Sequence, residues 1–415
     1  MKIYTPPPDK AITHRALMLA AVADGNTRVC GPSLCEDTLA TAACLKKLGV
    51  SISASKNRLL VKGLGLGGLK KPRGPLNAGA SGTTMRLLAG LLAGQDFDST
   101  ITGKGSLLKR PAARVAAPLV LMGAKIRMRG DRAPIHLSGS SLKGINHKLA
   151  VPSAQVKSAI LLAGLYAAGP TSITERFQTR DHTERLLKHL NARISAAGLN
   201  IYLKPGRLKA KDICVPGDIS SAAPFIAAAC LLKGFKLTVK NVGLNPGRTG
   251  LIRILKAMGA KISVSRTHCA PEPAGNITVS SSPLNGIRIR PDEVPAMVDE
   301  LPLLALSAAR ASGTTVINGI GELKHKESDR LRATLTLFKS LGLMAKADKD
   351  SLVIKGPQTI AGGRAVDTFN DHRIAMTAAV GALLASKPVK IRNPGCVKKS
   401  YPAFFKDFNK IFPRQ

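Results

Sequence analysis

A helix-like stretch, closed by Gly or Asn and followed by strand-like residues, recurs five times in this 415-residue chain. The copies are Leu45–Ile52 (LKKLGVSI), Leu119–Ile126 (LVLMGAKI), Leu187–Ile194 (LKHLNARI), Leu255–Ile262 (LKAMGAKI) and Phe338–Ala345 (FKSLGLMA). Gly and Asn are the residues that tolerate the left-handed conformation a helix needs at its C-terminal cap. A Lys in the last turn, present in most copies, faces the negative end of the helix dipole. The turn residues fall at Gly49, Gly123, Asn191, Gly259 and Gly342, at intervals of 74, 68, 68 and 83. A period near 70 leaves room for six units, each of about two helices and several strands. Solenoid repeats run shorter, so six α/β units grouped by threes into two domains is the expected organisation.

Size and composition agree. The chain is long enough for two domains with sizeable cores, and its 44% apolar content is ordinary for a globular protein. No run of eighteen apolar residues predicts a transmembrane helix. The start, MKIYTPPPDK, has neither the apolar core of a signal peptide nor the character of a transit peptide. Seven cysteines, at 30, 35, 44, 214, 230, 269 and 396, are odd in number and lack paired metal spacing. Free thiols in a reducing, cytoplasmic compartment are therefore expected. The net charge of +37 is unusual. It implies attraction for anions of every kind. Nucleic-acid binders usually add stacking rings, whereas here Trp is absent and aromatics make up 3%. Nucleic acid is accordingly expected to bind only non-specifically, and most of the charge to be solvated surface.

Several helix starts carry chemistry. Asp9-Lys10-Ala11-Ile12-Thr13-His14-Arg15 leads into an apolar helix. Two cations there oppose the positive end of the dipole, which an anionic ligand would explain. Gly79-Ala80-Ser81-Gly82-Thr83 feeds another apolar helix and offers backbone N–H groups to an anion, or simply caps the helix. Gly217–Ser221 reads the same way, with a cap favoured. Arg110 precedes Pro111, a residue suited to a first helical turn. Ser153 and Gln155, and likewise Thr179, stand where helices begin. Asp299 precedes the apolar run Leu303–Ala309 and reads as an N-cap. Lys399 lies in a loop ahead of the last helix. The densest clusters are Lys326-Glu327-Ser328-Asp329-Arg330 and Asn370-Asp371-His372-Arg373. Arg forks match carboxylate and phosphate, and a carboxylate among cations can serve as general acid or base. No metal-binding array, Walker loop, dinucleotide fingerprint or GxSxG elbow is present. Neither metal nor cofactor is expected.

In order along the chain, DKAITHRALMLAA, AGASGTTMRLLAGLLAG, KRPAARVAAPL, SAQVKSAILLAGL, TRDHTERLL, GDISSAAPFIAAA, DELPLLA, KESDRLRA, NDHRIAM and KKSYPAFF resemble 5-enolpyruvylshikimate-3-phosphate synthase (3-phosphoshikimate 1-carboxyvinyltransferase). The resemblance implies a two-domain inside-out α/β barrel of six βαβαββ units, three per domain. Residues 10–216 would form one domain, and 1–9 with 217–415 the other, with the active site in the interdomain cleft. The implied reaction joins phosphoenolpyruvate to the 5-hydroxyl of shikimate 3-phosphate and releases phosphate, a step toward chorismate and the aromatic amino acids. The resemblance assigns proton transfer at carbon to Glu327, and the hydroxyl to Asp299 with Lys10. It assigns phosphoenolpyruvate to Lys10, Gly82, Arg110, Gln155, Arg330, Arg373 and Lys399. Shikimate 3-phosphate falls to Lys10, Arg15, Ser153, Gln155, Thr179, Asp299 and Lys326. A monomer is expected, with no membrane partner.

The chain departs from the family pattern where Ala11 replaces a usual Ser and Ala80 a usual Asn. Each lost neutral hydrogen bond costs about 0.5–1.5 kcal/mol, so weakened affinity with retained activity is expected. Thr179 replaces a Ser and keeps the hydroxyl. UDP-N-acetylglucosamine enolpyruvyl transferase is a rival resemblance, but its loop cysteine has no counterpart in Gly103–Arg110. A basic nucleic-acid-binding scaffold of the same fold, with weakened or lost catalysis, is the alternative from another class.

Overall fold

The computed structural model describes residues 1–267 and 269–413. The chain divides into one unit of residues 8–215 with 269–272, and a second of 1–7, 216–268 and 273–415. All five turn residues of the repeat adopt positive φ: 90° at Gly49, 101° at Gly123, 64° at Asn191, 103° at Gly259 and 77° at Gly342. Each stops a helix and turns the chain into a strand.

The 8–215 unit holds six helices: α1 (Lys10–Ala21), α2 (Glu36–Lys47), α3 (Gly82–Leu92), α4 (Ala113–Leu121), α5 (Ala154–Gly164) and α6 (His182–His189). Its three sheets share one order. A short strand runs parallel to its neighbour, which pairs antiparallel with the second arm of a hairpin, whose first arm lies at the edge. For α3 and α4 the order is Leu76–Asn77, Ser99–Thr102, Arg132–Ser138, Lys125–Arg129. For α5 and α6 it is Asn146–Lys148, Thr171–Thr174, Asn200–Leu203, Ile194–Ala197. In the α1–α2 sheet the opening strand comes from the far end of the unit: Leu208–Lys209 and Ile213–Cys214 both pair with Ala23–Cys30. The hairpin Ser51–Ser55 and Arg58–Leu64 completes it.

Each sheet buries one face, as alternation along an antiparallel strand requires; Leu59 and Val61 are buried while Arg58 and Lys62 are exposed. The helices take two roles. α1, α3 and α5 are buried almost throughout and pack on one another, whereas α2, α4 and α6 bury one face only. Small residues allow the inner packing. A Cβ added at Gly90 of α3 would stand 2.7 Å from Cα of Ala159 on α5, so the two backbones meet where only glycine fits.

The second unit repeats the plan with α7 (Ile219–Leu231), α8 (Gly250–Ala257), α9 (Leu301–Arg310), α10 (Arg330–Leu341), α11 (His372–Leu384) and α12 (Phe404–Ile411). α7, α9 and α11 form its inner set. Two sheets have four strands, and the third, Ala365–Asp367 with Lys390–Arg392, has two among the described residues. The opening strand again comes from a distance, since Lys2–Tyr4 pairs parallel with Lys236–Gly243. A ring cluster seals this end. Phe225 of α7 stacks on Tyr4 at 3.9 Å and meets Phe404 and Phe408 of α12 edge-on at 5.8 and 5.4 Å. Each such buried ring contributes about 1.5–3 kcal/mol of burial free energy. No helix among the described residues is long and apolar enough to cross a membrane.

Candidate active site

Most of the residues singled out in the sequence lie at or shortly before helix N-termini, inner and outer helices alike, with one set on each unit.

In the 8–215 unit, Asp9 caps α1 by accepting from the N–H groups of Ala11 (2.7 Å) and Ile12 (3.1 Å). Lys10 then pairs with Asp37 at the start of α2, at 3.0 Å. Arg15 lies one turn further on and is buried. Its Nε donates to Thr183 Oγ1 (2.8 Å), Nη2 to Ser158 Oγ (2.9 Å) and Nη1 to the Ala11 carbonyl (2.9 Å). Burial, with help from Arg180, pulls its pKa down to about 10. Asp37 and two hydroxyls hold these cations at the start of α1, so their opposition to the helix dipole is offset within the unit itself. Lys10 keeps partial exposure, and Arg15 joins α1 to α5 and α6 with three of its five N–H donors.

α3 begins at Gly82, with Ser81 as cap accepting from the Thr84 N–H at 3.1 Å. A Cβ at Gly82 would lie 2.8 Å from Nη1 of Arg86 and 2.9 Å from Nη1 of Arg110, which puts both guanidiniums against this backbone. Arg86 Nη1 donates to Gln155 Oε1 (2.6 Å), and Gln155 Nε2 to Thr83 Oγ1 (2.9 Å). Gly82, Arg110 and Gln155 are therefore brought together, and Arg86 joins them. The sequence reading passed over Arg86 even though it stands four residues after Gly82, one helical turn away on the same face. Ser153 caps α5, its hydroxyl accepting from the Val156 N–H at 3.4 Å. Pro111 lies ahead of α4, which opens at Ala113, so the expected first-turn proline is a residue outside the helix. Arg110 ends the short turn Gly105–Lys109 instead. Thr179 lies in the loop before α6 and is buried. Behind these groups a chain of buried hydrogen bonds links His14 Nδ1 to Thr41 (2.7 Å), Thr41 to Thr84 (2.7 Å) and Thr84 to Ser81 (2.8 Å). It fixes α1, α2 and α3 at one end.

In the other unit Arg330 organises the site. It opens α10, is 1% exposed, and holds three carboxylates: Asp371 at 3.0 Å through Nε, Asp299 at 3.1 Å through Nη1 and Glu327 at 2.5 Å through Nη2. Burial alone would lower its pKa, but Asp371, Glu327 and Asp299 outweigh that and leave it raised. One guanidinium is only a few ångströms wide, so the bonded oxygens of Asp299 and Glu327 lie within about 8 Å of each other. Asp299 is not a helix cap; Glu300 holds the cap position of α9, without a side-chain capping bond. Asp371 also accepts from Ser328 Oγ (3.1 Å) and caps α11 through the Arg373 N–H (2.8 Å). Arg373 is buried, donating to the Ser220 carbonyl at 2.7 Å with Glu300 at 3.9 Å. Lys399 reaches the Asn370 carbonyl at 3.4 Å. Lys326 is half-buried beside Glu327. Asp37 and Asp371 were not singled out individually from sequence. Nothing local separates Asp37 from any other helix-start acid, Asp371 is marked only by the cluster it stands in, and the importance of both comes from partners 27 and 41 residues away.

A cationic set with a glycine-lined helix start, and a second set in which one arginine gathers two partly exposed acids, fit an enzyme that handles anions and moves protons. Comparison with known proteins agrees. The family model described as EPSP synthase (3-phosphoshikimate 1-carboxyvinyltransferase) matches residues 2–408. A 3-phosphoshikimate 1-carboxyvinyltransferase of Coxiella burnetii is 47% identical over 410 residues, covering 98% of this chain and 93% of the relative. One from Shouchella clausii is 44% identical over 409 residues, covering 98% and 95%. The solved EPSP synthase of Acinetobacter baumannii is 42% identical and superposes with a TM-score of 0.87, covering 99% of this chain and 95% of that one. The chain belongs to the EPSP synthase (3-phosphoshikimate 1-carboxyvinyltransferase) family.

Proposed function

We infer that this chain transfers the enolpyruvyl group of phosphoenolpyruvate to the 5-hydroxyl of shikimate 3-phosphate, releasing inorganic phosphate, a step of the shikimate pathway. The observation that carries the reading is the gathering of Asp299, Glu327 and Asp371 by Arg330. The chemistry needs an acid that protonates the methylene carbon of phosphoenolpyruvate, leaving its neighbouring carbon cationic. It needs a base for the attacking hydroxyl, and an acceptor for the proton lost when the tetrahedral intermediate expels phosphate. Glu327 serves both proton steps at carbon, and Asp299 with Lys10 serves the hydroxyl. General acid–base help of this kind contributes roughly 10²–10⁴-fold.

Binding needs cations for two phosphates and two carboxylates. Lys10, the Gly82 N–H, Arg110, Gln155, Arg330, Arg373 and Lys399 hold phosphoenolpyruvate. Arg15, Ser153, Gln155, Thr179, Asp299 and Lys326 hold shikimate 3-phosphate, together with Lys10. These residues come from both units. Arg330 spends its donors on carboxylates here. In this reading an arriving anion replaces Glu327 on Nη2 and releases that carboxylate for proton transfer. Phosphate release from phosphoenolpyruvate with and without shikimate 3-phosphate tests the activity. Release that does not depend on shikimate 3-phosphate would refute it.

A further inference from the structure

Three buried ions take no part in the chemistry above, yet stand directly behind a residue given to shikimate 3-phosphate. Lys157 Nζ lies 2.9 Å from Glu175 Oε2 and 2.6 Å from Glu184 Oε1, and the three side chains are 1%, 3% and 8% exposed. Burying an ion costs several kcal/mol even after relaxation, and apolar packing often does as well or better. Such a cluster is therefore poorly explained as a source of stability. Its geometry suggests another use. The second oxygen of Glu175, Oε1, accepts both the Thr179 N–H (3.2 Å) and the Thr179 hydroxyl (2.5 Å). The loop 175–179 is thus wound round one carboxylate, with Thr179 fixed through backbone and side chain together.

The cluster also ties this loop to the rest of the set. Lys157 lies on α5 two residues beyond Gln155, and the next residue, Ser158, receives Arg15. Burial pushes the Glu184 carboxyl up, and Lys157 opposes that shift, so Glu184 and Glu175 draw on one ammonium. Movement of α5 would displace Gln155, Arg15 and, through Glu175, Thr179.

We propose that Glu175, held in place by Lys157, is a positioning residue that sets the Thr179 hydroxyl for shikimate 3-phosphate without itself touching the substrate. The proposal rests on the reading of Thr179 as a contact to that substrate. Glu175 then acts on the affinity for one substrate alone.

The test is steady-state kinetics on full-length Glu175→Gln, Thr179→Ala, the double variant and Thr179→Ser, each with its thermal midpoint. Glu175→Gln keeps the shape and leaves Lys157 paired with Glu184. The amide has one acceptor oxygen where the carboxylate used two, so Lys157 and Thr179 compete for it, and loosening of the Thr179 hydroxyl should raise the KM for shikimate 3-phosphate about three- to tenfold. The KM for phosphoenolpyruvate and kcat should stay within about twofold. Thr179→Ala should raise the same KM, and the double variant should rise little further, because both changes act through one hydroxyl. Thr179→Ser should restore wild-type values. Should Glu175→Gln fail to fold, Glu175→Asp keeps the charge but withdraws the carboxylate from Thr179, and the same KM split is expected. An effect of Thr179→Ala with none from either Glu175 variant would overturn the positioning role and leave the Thr179 contact standing. No effect from Thr179→Ala would overturn the contact itself, and this proposal with it. Equal increases in both KM values, with a lowered midpoint, would reduce Glu175 to a structural part.

Discussion

Replacing Gly82 by Ala adds a single methyl group at the start of α3. That methyl would stand 2.8 Å from Nη1 of Arg86 and 2.9 Å from Nη1 of Arg110. Ordinary contact at such a site begins near 3.4 Å, so each guanidinium must retreat by roughly half an ångström. Both are tips of flexible side chains, so the α3 backbone need not move. Alanine also favours the helix over glycine by up to about 1 kcal/mol. Stability should therefore be unchanged or slightly higher. Binding should not be. Arg86 Nη1 donates to Gln155 at 2.6 Å, so its retreat disturbs Gln155 as well. Charge-assisted hydrogen bonds contribute about 1.5–3 kcal/mol each, and losing half of two such bonds corresponds to a ten- to hundredfold rise in the KM for phosphoenolpyruvate, by about 1.4 kcal/mol per decade. The KM for shikimate 3-phosphate should rise less, because Gln155 is the one group assigned to it that the methyl disturbs. Initial-rate kinetics against each substrate, beside a thermal melt, measures all of this. A well-folded variant with the wild-type KM for phosphoenolpyruvate would show that the Arg110 guanidinium does not hold that substrate.

Glu327→Gln should lower kcat by a hundredfold or more while leaving the thermal midpoint near wild type, since the amide still accepts from Arg330; near-normal turnover would remove Glu327 from the proton path. Arg330→Met leaves buried Asp371 beside Asp299 and Glu327 without their common cation, and should cost about 3–5 kcal/mol in denaturant unfolding, partly recovered by adding Asp371→Asn. His14 is buried, and burial, reinforced by Lys10 and Arg15 against the pull of Asp37, lowers its pKa from 6.5 to about 3. Above pH 6.5 neither folded nor unfolded chain protonates it. Between pH 6.5 and about 3 only the unfolded chain does, so stability falls there by about 1.4 kcal/mol per pH unit from this group. Unfolding free energies of His14→Asn should accordingly fall less steeply from pH 6.5 to 4.5 than wild type, and an identical slope would contradict the assignment.

The fold was legible wherever a local rule applied. Gly49, Gly123, Asn191, Gly259 and Gly342 could be read as left-handed caps because few other residues adopt that conformation, and all five do. Asp218 likewise caps α7, accepting from the Ser220 N–H at 2.9 Å. Local rules failed where tertiary partners decide. Lys10 and Arg15 looked unpaired against the dipole because Asp37, Ser158 and Thr183 are distant in sequence. Asp299 looked like a cap because it precedes an apolar helix, but Arg330, 31 residues on, claims it. Arg86 was hidden in an otherwise apolar helix, and Asp37 had no distinguishing neighbour. The clusters around Glu327 and Asp371 were conspicuous for the opposite reason: cations and acids stand side by side in the chain.

The borrowed opening strands have a consequence for how a ribosome delivers this molecule. Residues 2–4 are made long before their pairing partners at 236–243, which lie more than 230 residues further along the chain. The sheet begun by 23–30 likewise waits for 208–214. Contacts so far apart in sequence form late, since loop closure must precede their reward. The three sheets of the 8–215 unit can thus close once residues 208–214 are made, before residues 236–243 exist. The leading segment stays an open β-edge throughout, and strand-edge capture by other nascent chains is its characteristic hazard.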